Sequence, residues 1–365
     1  MSIIPPNDGD SKGDDVKQLI LSAILSCSAL AGAAMAQQQA PALPALGVKL
    51  DQTTVSGVNS GAFMAAQLAT AYSSRIQGVA IIAGGPFYCA GTHSNVGMLD
   101  NAVGTCMTPL SRAVGASGDI SFRNARQFAA EGRIDPVENL QRQRVYVFSG
   151  ANDMVVKTMV VDEISQFYRL AGITADSLKY VRNGEAGHGI STADPDDLPC
   201  AATAAPYINN CGFVQAHEML RHLYPERTQP VGKGAPSGQL IRFDQREFMR
   251  GARTSMDDMA YVFIPTACRE GGCAVHIAFH GCQQGASSIG SRFYRDVGYN
   301  GFAEANRLVV LYPQAHPSNG IPFNPRGCWD FWGYSNGDRP AWNFVTRRAP
   351  QMEAVMAMLA RLGGK

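Results

Sequence analysis

The chain has 365 residues, 45% of them hydrophobic and only 17% charged, which is enough apolar material for one large core or two small ones. Lys and Arg number 31 against 30 Asp and Glu, a formal charge of +1. That balance excludes an electrostatic footprint for nucleic acid or for an anionic membrane surface.

Residues 18–36 form one apolar run behind Lys17, and Ala34-Met35-Ala36 fits a small-x-small cleavage pattern. Residues 1–36 therefore read as a signal peptide, with Gln37 as the mature start and export as the expectation. The stretch before Lys17 is long for such a segment and carries Asp8, Asp10, Asp14 and Asp15. Ile24-Leu25-Ser26-Cys27 is a loose lipoprotein-type box, so lipidation at Cys27 stays open. The run barely reaches spanning length and ends in small residues, so no stable membrane insertion is expected. Residues 37–46, rich in Gln, Ala and Pro, read as a short N-terminal arm, and residues 47–365 as a single domain.

Outside the signal segment stand eight cysteines: Cys89, Cys106, Cys200, Cys211, Cys268, Cys273, Cys282 and Cys328. An even number in an exported chain reads as disulfides, and no pair has the tight C-x-x-C spacing of a zinc site. Closeness along the chain suggests Cys89–Cys106, Cys200–Cys211 and Cys268–Cys273, leaving Cys282 with Cys328. Spacing alone does not fix that connectivity.

Short, continuous, β-branched apolar runs at residues 78–84, 144–150, 261–265, 275–279 and 308–312 predict buried strands of a parallel sheet covered on both faces. Met64, Leu68 and Tyr72 mark a helix directly after Val55-Ser56-Gly57-Val58. Ile164, Phe167, Tyr168 and Leu170 mark a second, closed by Gly172, and Met352, Val355, Met356 and Leu359 a third. Strand and helix alternate along the whole length, which predicts α/β architecture. The Gly, Pro and Lys cluster at residues 232–238 reads as a surface connection within one domain.

The segment Gly57-Val58-Asn59-Ser60-Gly61 runs from a predicted strand into a predicted helix, the context of a nucleophile elbow. There a sharp turn lifts one side chain above the sheet, and the helix N-terminus behind it favours negative charge on a substrate oxygen. The G-x-S-x-G pattern would place serine at position 59; this chain has Asn59, and Ser60 comes one place late. Asp153, just past the strand at 144–150, is placed to orient a histidine. His188, in Gly184-Glu185-Ala186-Gly187-His188-Gly189, follows in the order nucleophile, acid, base, with glycines that give it room to swing. His280-Gly281-Cys282 follows another strand, a turn suited to presenting the Cys282 N–H to an oxyanion. That turn usually precedes the nucleophile, so its late position implies a circular permutation in which the first strands have moved to the C-terminal end.

Taken together, Ser56-Gly57-Val58, Ser60-Gly61, Met64-Ala65-Ala66-Gln67-Leu68, Ala83-Gly84-Gly85-Pro86, His280-Gly281-Cys282, Gly290-Ser291-Arg292-Phe293, Leu311-Tyr312-Pro313-Gln314-Ala315 and Gly327-Cys328-Trp329-Asp330 resemble the secreted polyhydroxybutyrate (PHB) depolymerases of the single-domain, circularly permuted type. The resemblance covers roughly residues 45–335. It implies a circularly permuted α/β-hydrolase with a mostly parallel central sheet and helices on both faces. It further implies a Ser-His-Asp triad, no cofactor, no metal, and cleavage of polyhydroxyalkanoate polyester to short hydroxyacid oligomers. Carried over by motif, Asp153 is the acid, His188 the base, the N–H groups of Ser60 and Cys282 the oxyanion hole, and Trp329 a wall of the substrate groove. The family nucleophile position is held by Asn59, which makes Ser60 the provisional nucleophile.

Three readings follow: a secreted, monomeric ester hydrolase acting on polyester through Ser60, Asp153 and His188; a catalytically silent polyester-binding protein of the same fold; and an esterase for soluble substrates such as feruloyl or acetyl-sugar esters.

Overall fold

The computed structural model describes residues 40–336 and 343–364. The expected signal peptide, Cys27 and the first residues of the arm lie outside them. From Pro41 onward the chain forms one compact unit. The rest of the arm is docked: Leu43 is buried, and the Leu46 N–H donates to the Leu362 carbonyl at 3.0 Å.

The central sheet is built from β1 (Thr53–Val58), β2 (Ile76–Ile82), β3 (Arg144–Gly150), β4 (Leu178–Asn183), β8 (Gln239–Asp244), β9 (Met259–Ile264), β10 (Ala274–Phe279) and β11 (Leu308–Tyr312). A small second sheet holds β5 (Ile190–Thr192), β6 (Leu198–Pro199) and β7 (Ile208–Asn210). The longer helices are α1 (Ser60–Ala71), α2 (Gly118–Ala130), α3 (Thr158–Leu170), α4 (Gln215–Leu223), α5 (Tyr299–Asn306) and α6 (Pro350–Gly363).

Strand order is β4-β3-β2-β1-β10-β11-β9-β8. All neighbours from β4 to β11 run parallel, and β9 pairs antiparallel with both β11 and β8. The chain therefore starts in the middle of the sheet. Its β1 pairs on one side with β2, next in sequence, and on the other with β10, from the far end of the chain. That is the topology expected of a permuted hydrolase, with residues 224–238 joining α4 to β8. Every residue of β1, β10 and β11 is buried, as continuous apolar strands demand.

Alternation in β3 divides the core. Val145 and Val147 face the layer of α1, α3 and α6, while Tyr146 and Phe148 face the layer of α4 and α5. Helix α1 is buried along its whole length, which fixes the turn that precedes it. Among the described residues the disulfides are Cys89–Cys106, Cys200–Cys211, Cys268–Cys273 and Cys282–Cys328, the connectivity that spacing suggested.

Candidate active site

The turn between β1 and α1 is possible only with glycine on both sides of its apex. A Cβ on Gly57 would lie 2.0 Å from the Gly61 carbonyl oxygen, and one on Gly61 would lie 2.4 Å from that of His280. At the apex Asn59 holds φ 55° and ψ −123°, a conformation that non-glycine residues adopt only under constraint. Its own N–H is tied to the Ile82 carbonyl at 3.0 Å, and its carbonyl accepts from Ala62 and Phe63. The side chain is thereby carried over the C-terminal edge of the sheet.

There the Asn59 amide meets the imidazole. Asn59 Nδ2 donates to His188 Nε2 at 2.8 Å, and His188 Nδ1 donates to Asp153 Oδ2 at 2.8 Å. Each bond requires the same tautomer, with the proton on Nδ1. The other carboxylate oxygen of Asp153 accepts from the Val155 and Val156 N–H groups, both at 2.8 Å, so the acid is fixed before it meets the base. The Cys282 N–H donates to Asn59 Oδ1 at 3.3 Å, which puts the expected oxyanion donor beside the apex amide.

Ser60 lies elsewhere. Its Oγ accepts from the Trp329 N–H at 3.1 Å, in a buried position at the first turn of α1. The structure thus brings Asn59, Asp153, His188 and Cys282 together and leaves the Ser60 hydroxyl out. Position within the elbow decides this: the apex residue projects over the sheet edge, and the residue after it starts the helix.

Two other expectations change. Trp329 is not a groove wall: it is fully buried, packed edge-on against Phe279 and against His280. Tethered to Cys282 through Cys328, its segment underpins the site from below. The cleft is lined instead by half-buried Trp332 and by buried Phe331, the latter stacked on Phe63 with ring centroids 4.3 Å apart. Nor do the glycines around His188 give it room to swing. A Cβ on Gly187 would meet the Ala202 carbonyl at 2.2 Å, and Gly189, at φ 155°, lies against the Tyr207 backbone. They allow close backbone packing, and the His188 N–H is held by Thr203 Oγ1 at 3.1 Å. The Cys200–Cys211 disulfide closes the same loop.

Above this cluster opens a cleft of about 350 Å³. Asn59, His188, Tyr207 and Cys282 form its polar end; Leu99, Val103, Met107, Phe331 and Trp332 form an apolar wall. Sequence reading missed that wall, because Leu99 and Val103 lie in short helical turns at Met98–Asp100 and Asn101–Thr105, too brief to show a period, and Met107, Phe331 and Trp332 lie outside regular elements. Leu99 and Val103 are more than half exposed, and Met154, next to the cleft residue Val155, is exposed as well. Among the described residues no cluster of His, Cys, Asp or Glu could hold a metal ion, and no helix is long and apolar enough to cross a membrane.

No family model matches the chain. Among curated proteins it is 38% identical over 345 residues to a poly(3-hydroxybutyrate) depolymerase of Delftia acidovorans, covering 92% of this chain and 65% of that one. It is 33% identical over 320 residues to a polyhydroxybutyrate depolymerase of Talaromyces funiculosus, covering 83% of this chain and 89% of that one. The chain belongs to the polyhydroxybutyrate depolymerase family. Among solved structures, the PHB depolymerase of Penicillium funiculosum superposes with a TM-score of 0.77, and a PHB depolymerase serine-to-alanine variant complexed with an R3HB trimer with 0.78. Each is 30% identical and covers 89% of this chain and all of the other. This depolymerase-family chain thus spans less than two thirds of its Delftia relative but most of the Talaromyces one.

Proposed function

We propose that this protein is an exported member of the depolymerase family that receives a hydroxyalkanoate polyester in the cleft above Asn59 and lacks the serine acylation step. One observation carries the reading: the group within hydrogen-bond reach of His188 Nε2 is the Asn59 amide, while the Ser60 hydroxyl is engaged by Trp329. An amide nitrogen shares its lone pair with its carbonyl and cannot form an acyl-enzyme under these conditions. The apolar wall and exposed rim suit a chain of repeating short esters, whose methyl groups bury there while carbonyls turn toward the polar end. The names of the relatives and the R3HB trimer held by one of them support the same ligand class.

A second reading rests on the intact pair of Asp153 and His188. With no nucleophile to serve, His188 can act as general base toward a water attacking the ester directly, with the Cys282 and Ser60 N–H groups receiving the oxyanion. Sites stripped of one triad member keep roughly 10³–10⁴-fold catalysis over water. This route releases product without a covalent intermediate.

The test compares wild type with Asn59→Ser on a nitrophenyl butyrate ester and on a film of poly(3-hydroxybutyrate). Wild type should adsorb to the film and release nitrophenolate without a burst; Asn59→Ser should show a stoichiometric burst and turn over about 10²-fold faster or more. A wild-type burst abolished by Ser60→Ala would instead make Ser60 the nucleophile. Failure to adsorb, with turnover of soluble esters alone, would shift the substrate class to feruloyl- or acetyl-sugar-type esters.

A further inference from the structure

We infer that Asn59 is a self-processing residue: the site's own groups deamidate it, releasing ammonia and leaving a carboxylate at the apex of the elbow. This rests on the backbone at Asn59 and its two side-chain hydrogen bonds, and is independent of what occupies the cleft.

Three features converge on one amide. The first is the backbone. In an L-residue Cβ is attached about 120° round Cα from the amide nitrogen, so a ψ near −120° eclipses Cβ with the nitrogen of the following residue. Asn59, at ψ −123°, has that geometry, whereas helix and strand values of about −42° and +135° lie far from it. The side-chain carbon and the Ser60 nitrogen are thereby set on the same side of the chain for closing a five-membered ring. Ser60 is the first residue of α1, where a backbone N–H has no partner within the helix.

The second feature is the carbonyl end of the amide. Asn59 Oδ1 accepts from the Cys282 N–H at 3.3 Å, so negative charge developing on that oxygen meets a donor already in place. The third is the nitrogen end. Nδ2, which must leave as ammonia, sits 2.8 Å from His188 Nε2, and His188 is held by Asp153. Donor, acid and base that would process a substrate ester thus surround the amide itself.

The chemistry balances with water as the only co-reactant. The Ser60 nitrogen attacks Asn59 Cγ, and His188 Nε2 takes up the Ser60 N–H proton as the new C–N bond forms. The Cγ–Nδ2 bond then breaks, with that proton returned from Nε2 to the departing nitrogen, and ammonia leaves. Water opens the resulting cyclic imide. Cleavage of the Cγ–N bond gives aspartate, and cleavage at the main-chain carbonyl gives isoaspartate. Net, one water enters and one ammonia leaves. Asn59 is only 8% exposed but lines the cleft, which is where water enters and ammonia departs.

The experiment follows the tryptic peptide spanning residues 50–75, in which Asn59 is the only asparagine. Freshly purified full-length protein is held at neutral pH, and the amide-to-carboxylate mass change at Asn59 is followed by peptide mass spectrometry alongside ammonia release. The folded wild type should convert about tenfold faster or more than the same chain unfolded in denaturant. It should also convert faster than His188→Ala and than Asp153→Asn, both first checked for native thermal unfolding. Two independent variants guard against one of them failing to fold. Absence of the mass change, or conversion equally fast in the unfolded chain or in both variants, would overturn the inference. Film adsorption is read on the same samples, so loss of polyester binding and loss of processing are told apart.

Discussion

At the residue scale, the chemistry turns on two neighbours with different jobs. Asn59 faces the imidazole; Ser60 supplies an acceptor to the Trp329 N–H and so fastens α1 to the segment behind the site. If the hydroxyl of Ser60 is structural, Ser60→Ala strands a buried backbone donor and costs about 1–3 kcal/mol. Urea unfolding checks this: a lowered midpoint with unaltered slope is expected, and an unchanged midpoint would mean that Trp329 does not depend on the hydroxyl. Asp153 and His188 were legible in the sequence because Asp153 sits in a loop directly after the apolar run at 144–150 and His188 among glycines, in an order the elbow anticipates. Which of Asn59 and Ser60 faces His188 was not legible. That depends on the turn's backbone and on a partner 269 positions away, which no local pattern records.

At the element scale, the sheet's interior was written in the sequence and its margins were not. Residues 144–150 and 308–312 were read with their observed bounds, since strands buried on both faces are continuous apolar runs. The edge strand β8 went unread because it is half exposed, with Gln239 and Arg242 breaking the run. Helix α2 buries only a thin line through Ser121, Ala125 and Phe128, too sparse to stand out. The small sheet of β5, β7 and β6 has strands of two or three residues, below the length at which periodicity exists. Yet that sheet carries the His188 loop: Gln284 reaches from the His280 turn to the Pro206 and Tyr207 carbonyls, both at 3.0 Å, and so ties base and oxyanion donor together. Trp329 was misread for a similar reason. A tryptophan beside a cysteine looks the same in sequence whether it faces a groove or the core.

At the scale of the whole molecule, the permuted topology places β1 against β10, so the elbow and the Cys282 turn are neighbours despite more than two hundred intervening residues. The same pairing buries two histidines. His276 lies between Thr54 and Ser56, each at 2.7 Å, and burial lowers its pKa from 6.5 to about 3. His280 accepts from the Ala315 N–H, and burial lowers its pKa to about 4. The folded protein thus refuses protons that the unfolded chain takes up below its own histidine pKa. The stability from this source is complete above about pH 6.5 and drains as pH falls, each histidine contributing about 1.4 kcal/mol per pH unit. His217 and His222, also lowered by burial, act in the same direction. Urea unfolding should therefore be level from about pH 7.5 to 6.5 and lose stability from there to about pH 5, a loss reduced in His276→Gln; a profile flat down to about pH 5 would mean that these rings are protonated inside the fold.

The most direct test of the central claim is covalent mapping with a nitrophenyl phosphonate ester, which labels only a hydroxyl activated by an adjacent base. Wild type should remain unlabelled after long exposure, while Asn59→Ser should take up one phosphonyl group on the new serine. A phosphonyl group found on Ser60 of the wild type would contradict the account, because that hydroxyl would then have to leave Trp329 and reach His188.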